Sequence, residues 1–142
     1  MIIIEQTIFE EMVADALQTF PEECCGFFFG RENKDERLIT RILVVNNSKQ
    51  GDKTRRFEIS PRNYLDAELM AEKSGLQLLG VYHSHPNHPA VPSEMDRLAA
   101  QPYFSYIILS IVDDDFQDIR SWRLNDSLQF EEEQINKTII VY

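Results

Sequence analysis

With 142 residues, 43% of them hydrophobic, the chain is the size of one domain with one core, and a single domain over residues 1–142 is expected. Its 24 acidic residues against 14 Lys and Arg give a formal charge of −10, which argues against a nucleic-acid partner, because a phosphate backbone is gripped by cations that displace counterions. The longest apolar run, Tyr106–Val112, is far short of the roughly 20 residues of a membrane span, and MIIIEQTIFEE lacks the basic start and apolar core of a signal peptide, so no membrane partner and a cytoplasmic location are expected.

In chain order, Thr7-x-x-Glu10 fits a capping box, and Ile8, Met12, Val13, Ala16, Leu17 and Phe20 recur at helical spacing, so the pattern predicts a helix over 8–20 that Pro21 ends. Cys24 and Cys25 are adjacent, poorly placed for a disulfide with each other, and read as small buried thiols. The apolar runs Cys25–Gly30 and Arg37–Val45 predict a hairpin around the charged turn Arg31–Glu36. Asn46–Arg56 reads as a polar loop before a brief strand around Phe57–Ile59. Ser60-Pro61 starts a second helix that closes at Gly75.

Leu76–Tyr82 then reads as a buried strand, and the prolines of residues 86–92 impose a non-helical loop before a short helix from Ser93 to about Gln101. Tyr103–Val112 and Gln117–Leu124 are predicted strands flanking the Asp113–Asp115 turn. Leu128–Tyr142 reads as one or two more strands with an acidic, solvated face at Glu131–Glu133, and Trp122 and the aromatic residues at 27–29, 104 and 106 read as core. Interleaved helices and strands point to one mixed sheet covered by helices.

The chemistry is concentrated at His83-Ser84-His85. At i and i+2 on a strand end the two imidazoles share a face, and an Asp from the next element supplies a third ligand. Three protein ligands with an open fourth position distinguish a catalytic zinc site from a structural one. Asp96 is the candidate, with Ser93 beside it, although S-x-x-D at a helix start is itself a capping motif that competes for the same side chains. His88, between Asn87 and Pro89, reads as solvated. A zinc hydrolase also needs a carboxylate to move protons, and spacing alone leaves both Glu22 and Glu23 open.

P-x-E-x-x-G at Pro21–Gly26, H-S-H-P at His83–Pro86 and S-x-x-D at Ser93–Asp96 together resemble the JAMM (MPN+) metalloproteases, in particular their short stand-alone prokaryotic members. The resemblance implies one Zn2+ per chain held by His83, His85 and Asp96, Ser93 stabilising an oxyanion, and Glu23, three residues before Gly26, as general acid/base. It also implies an α/β fold, a three-layer α-β-α sandwich with a mixed central sheet like that of cytidine deaminases. The implied activity is isopeptidase or peptidase cleavage, by metal-activated water, after the C-terminal Gly-Gly of a ubiquitin-like or sulfur-carrier protein. A non-catalytic interaction module of the same fold is the alternative, though all the motif positions are present. A deaminase is disfavoured by the missing Cys pair after the His motif.

Overall fold

The computed structural model describes residues 1–136. Its elements in chain order are β1 (Ile2–Ile4), α1 (Gln6–Thr19), β2 (Cys25–Asn33), β3 (Glu36–Val45), α2 (Pro61–Ser74), β4 (Gln77–Pro86), α3 (Glu94–Ala99), β5 (Ser105–Val112), β6 (Asp115–Leu124), β7 (Phe130–Glu133) and β8 (Ile135–Asn136). Among the described residues the strands form one sheet in the order β7-β6-β5-β4-β2-β3-β1-β8. It is mixed: β4 runs parallel to β5, β1 runs parallel to both β3 and β8, and the remaining pairs are antiparallel.

The triple phenylalanine of β2 shows how the sheet separates two cores. Successive side chains of a strand point to opposite faces, so Phe28 joins Met12 and Ala16 of α1, with Tyr82, Ile107 and Leu109, while Phe27 and Phe29 join Ala67 of α2, with Val81 and Tyr106. Helices α1 and α2 thus cover opposite faces. All three Phe are fully buried, and each contributes on the order of 2–3 kcal/mol relative to exposure. β4 lies between β2 and β5, its two hydrogen-bonding edges both occupied. Gly80 permits this close approach, since a Cβ there would run into the carbonyl oxygen of Ser105 on β5.

Several sequence expectations need correction. α1 starts at Gln6 with Glu5 as its N-cap and no side-chain cap bond, so the Thr7–Glu10 capping box does not form; the parallel strand β1, which the sequence did not suggest, delivers the chain into the helix two residues early. Phe57–Ile59 is not a strand, because its backbone pairs with the loop rather than the sheet: Glu58 N–H donates to Asn47 Oδ1 and the Glu58 carbonyl accepts from Ser48 N–H. The hairpin turn is only Lys34-Asp35, and the histidines sit inside β4 rather than beyond its end. Trp122 is half-buried, its indole N–H donating to the Ala90 carbonyl at 3.0 Å. Glu133 is partly buried and accepts from Ser121 Oγ at 2.7 Å, so the Glu131–Glu133 face is not wholly solvated. β7 and β8 fall in the expected C-terminal stretch, whose residues 137–142 lie outside the described residues.

α2 follows the sequence closely: Ser60 Oγ accepts from Asn63 N–H, Pro61 opens the first turn, and Gly75 closes it in the left-handed region that glycine adopts without strain. Cys24 and Cys25 are buried free thiols. No helix among the described residues is long and apolar enough to cross a membrane.

Candidate metal centre

The register of β4 sets the site. Tyr82 and Ser84 face α1, leaving His83 and His85 on the α2 side, 1% and 8% exposed. Cys25 of β2 is paired with His83, so the residues just before β2 run alongside the histidines. That juncture is fixed by two bonds in which Ser84 takes part: its N–H donates to the Cys24 carbonyl at 3.2 Å, and its Oγ accepts from Cys24 N–H at 2.8 Å. Glu23 is thereby buried beside the imidazoles while Glu22 stays exposed.

On the opposite side α3 brings Asp96. Ser93 Oγ accepts from Asp96 N–H at 3.1 Å and Asp96 Oδ2 accepts from Ser93 N–H at 2.8 Å, so the helix-capping box is present. The same Oδ2 lies 3.3 Å from His85 Nε2 and 3.4 Å from His83 Nε2. Capping and site geometry are therefore both satisfied, because a carboxylate oxygen has lone pairs for both. The Ser93 O–H itself has no acceptor among the described residues and remains free to donate.

The two Nε2 atoms are 3.1 Å apart. His85 Nδ1 is 2.8 Å from the Pro89 carbonyl, which can only accept, so Nδ1 carries a proton and Nε2 is the nitrogen turned toward Asp96; burial alone would lower His85, but its hydrogen bonds to Asp96 and the Pro89 carbonyl raise it. Burial pushes His83 down, opposed by the nearby Asp96 carboxylate. Burial alone would raise Asp96, but the attraction of His83 and hydrogen bonds from both imidazoles and the Ser93 N–H hold its carboxyl well below the usual range. Three potential ligand atoms thus converge with separations of 3.1, 3.3 and 3.4 Å. A tetrahedral ion with ligands at about 2.0–2.1 Å sets those ligands about 3.3–3.4 Å apart, so the donor set fits a divalent cation.

Glu23 could also approach that position, since it and the two histidines have ligand atoms all within 4.8 Å of one another. Its protonation differs from that of Asp96. Burial pushes the Glu23 carboxyl up to about 8, only partly countered by His85, so it holds a proton where Asp96 does not.

Residues 5–125 match the family of prokaryotic homologs of the JAB domain. The chain belongs to that family. It is 32% identical over 108 residues to a probable TtuB-protein conjugate cleaving protease of Thermus thermophilus, covering 76% of this chain and 69% of that protein. It is 28% identical over 133 residues to the CysO-cysteine peptidase of Mycobacterium tuberculosis, covering 93% and 88%. The solution structure of a Desulfitobacterium hafniense protein superposes with a TM-score of 0.85 at 34% identity, over 99% of this chain and 96% of that one.

In this JAB-family chain the site also draws on residues that no local sequence signal marks. Asn47 binds on four sides: its Nδ2 donates to the carbonyls of Glu23 at 3.2 Å and Arg56 at 3.0 Å, and its Oδ1 accepts from the N–H groups of Lys49 and Glu58. The loop 46–58 is thus tied to the Glu23 backbone, whose N–H also donates to the Lys53 carbonyl at 2.7 Å. Phe57 stacks on His83 with centroids 4.3 Å apart, which orients the ring even though His83 Nδ1 is buried with no hydrogen-bond partner among the described residues. An Asn in an aperiodic polar loop carries no local signal of such a role. His88 is exposed, as expected. Asn87 adopts φ 60° and its Oδ1 accepts from Asp113 N–H, uses that suit Asn.

Proposed function

We propose that this chain is a zinc-dependent isopeptidase or peptidase that hydrolyses the bond after the C-terminal Gly-Gly of a ubiquitin-like or sulfur-carrier protein. The observation that carries the reading is the convergence of His83 Nε2, His85 Nε2 and Asp96 Oδ2 at ligand-to-ligand spacing beside a buried, proton-holding Glu23. Membership of the JAB family supports it, as do the relatives named for conjugate cleavage and for peptidase action. A single domain over 1–142, a three-layer α-β-α sandwich similar to cytidine deaminases and a cytoplasmic location complete the proposal, the layering supported by α1 and α2 lying on opposite faces.

In this reading His83, His85 and Asp96 hold the ion, which supplies Lewis-acid polarisation of the scissile carbonyl and lowers the pKa of water to about 7. Hydrolysis forms a C–O bond from water and breaks the C–N bond. Glu23 takes a proton from the water and passes it to the leaving amine, a task suited to a carboxyl poised near neutral pH. Ser93 donates its free O–H to the developing oxyanion, a contribution on the order of 3 kcal/mol. Substituting Glu23→Gln tests the assignment: zinc measured by mass spectrometry stays near one per chain, while cleavage of a sulfur-carrier protein extended past its Gly-Gly falls by about 100-fold or more. Retained cleavage removes Glu23 from its role.

A further inference from the structure

Helix α1 carries a carboxylate where its pattern calls for an apolar side chain. Ile8, Met12 and Ala16 form its buried stripe, and Asp15 follows Met12 by three residues on the same side. The core on this side of the sheet is built mainly of apolar residues such as Phe28, Ile107 and Leu109. Burial works against the Asp15 charge and raises its carboxyl, so a leucine would be the more favourable packing there. What the acid gains is a set of donors. Its Oδ2 accepts from the Tyr82 O–H at 2.8 Å and its Oδ1 from the Thr19 O–H at 3.3 Å. The Cys24 thiol, kept protonated by burial and then by the Asp15 charge, donates to it as well.

Two of those donors adjoin the metal centre. Tyr82 precedes His83 on β4, and Cys24 follows Glu23 just before β2. Successive strand side chains alternate between faces, so a tether on Tyr82 from the α1 side fixes how His83 projects on the other. Ser84, on the far side of His83, is held from the same face through its bonds with Cys24. The Tyr82 ring lies directly against the β2 backbone, since a Cβ on Gly26 would come 2.5 Å from Tyr82 Cε1. Tyr82 is fully buried, so without Asp15 its O–H loses its partner where water does not reach it. One carboxylate on α1 thus grips the neighbours of a metal ligand and of the proton-transfer group at once.

We propose that Asp15 is a positioning residue for the metal centre: from the opposite face of the sheet it holds Tyr82 and Cys24 so that His83 and Glu23 keep the spacing the reaction needs. The inference rests on the zinc-peptidase reading. The test compares Asp15→Leu, Asp15→Asn and Tyr82→Phe in the zinc-loaded full chain, acting on a sulfur-carrier protein extended past its Gly-Gly. Leucine fills the space without an acceptor, asparagine keeps an oxygen for the Tyr82 O–H, and Tyr82→Phe removes the same bond while leaving α1 unaltered. Asp15→Leu and Tyr82→Phe are each expected to lower kcat about ten-fold with KM little changed, and to weaken zinc about ten-fold in a chelator competition. Combined, they are expected to lose no more than either alone, because both remove one bond. Asp15→Asn is expected to stay within about three-fold of the parent in both measurements, as a neutral acceptor replaces a charged one.

Parental kcat and zinc affinity in Tyr82→Phe overturn the proposal, even where Asp15→Leu fails to fold. So does a combined loss equal to the product of the two single losses. Losses that vanish when each variant is measured well below its own Tm overturn it too, since a purely structural contact acts only through the folded fraction. If the parent cleaves no extended carrier protein, the peptidase reading falls, and the zinc competition alone upholds or overturns the role of Asp15.

Discussion

Ser84 occupies the position between the two histidines, and its substitution by alanine is the sharpest probe of how the site is assembled. Ser84 and Cys24 are 0% and 3% exposed, so when the Oγ that accepts from Cys24 N–H at 2.8 Å is removed, no water can replace it. An orphaned buried donor costs about 1–3 kcal/mol. For a domain of this length each kcal/mol lowers Tm by about 3–4 °C, so Ser84→Ala should melt about 3–12 °C below the parent and shift the urea midpoint without changing the slope. Because Cys24 follows Glu23, the slackened juncture also displaces that carboxyl, and kcat should fall between about 10- and 100-fold with zinc content and KM preserved. Ser84→Thr retains the acceptor and should recover most of both losses. A Ser84→Ala protein that melts within 1 °C or so of the parent refutes the account, since the bond would then carry no net stability.

Three other measurements bear on the same geometry. Burial raises the Glu23 carboxyl to about 8 from 4.5, so between those pH values the folded chain keeps a proton that the unfolded chain has released. Stability of the chelator-treated protein should therefore fall as pH rises through that window, by up to a few kcal/mol, and Glu23→Gln should flatten the dependence in urea titrations; an unchanged slope in the variant assigns it elsewhere. Asp96→Asn keeps an oxygen to accept from Ser93 N–H but removes the charge, so the fold should persist while zinc affinity drops by at least about 100-fold in a chelator competition; zinc retention at parental affinity would take Asp96 out of the ligand set. Gly80→Ala forces a methyl group into the Ser105 carbonyl and should cost about 3 kcal/mol or more, read as a lower Tm or insoluble protein; a variant as stable as the parent would mean β4 and β5 separate readily.

The parts of the site that were legible in the sequence are those set by local periodicity. Two histidines at i and i+2 on a strand share a face whatever the fold, Ser60-Pro61 starts a helix by its own chemistry, and S-x-x-D at Ser93–Asp96 caps the next one. The motif order through Gly26, His83, His85 and Asp96 was enough to point to the family. The misread pieces were those with ambiguous local signals: β1 is only three residues long, and Phe57–Ile59 has strand-like composition but spends its hydrogen bonds on Asn47 and Ser48.

Only the tertiary structure shows that Glu23, and not Glu22, is buried beside the imidazoles, because that depends on the pairing of Cys25 with His83. It also decided that one Asp96 oxygen can cap a helix and face both histidines at once, and that the aperiodic loop 46–58 is tied to Glu23 through Asn47. The physical reason is common to all three: backbone geometry fixes which way neighbouring residues point, whereas contacts between residues 23, 47, 83 and 96 depend on strand register and packing that no short stretch of sequence contains.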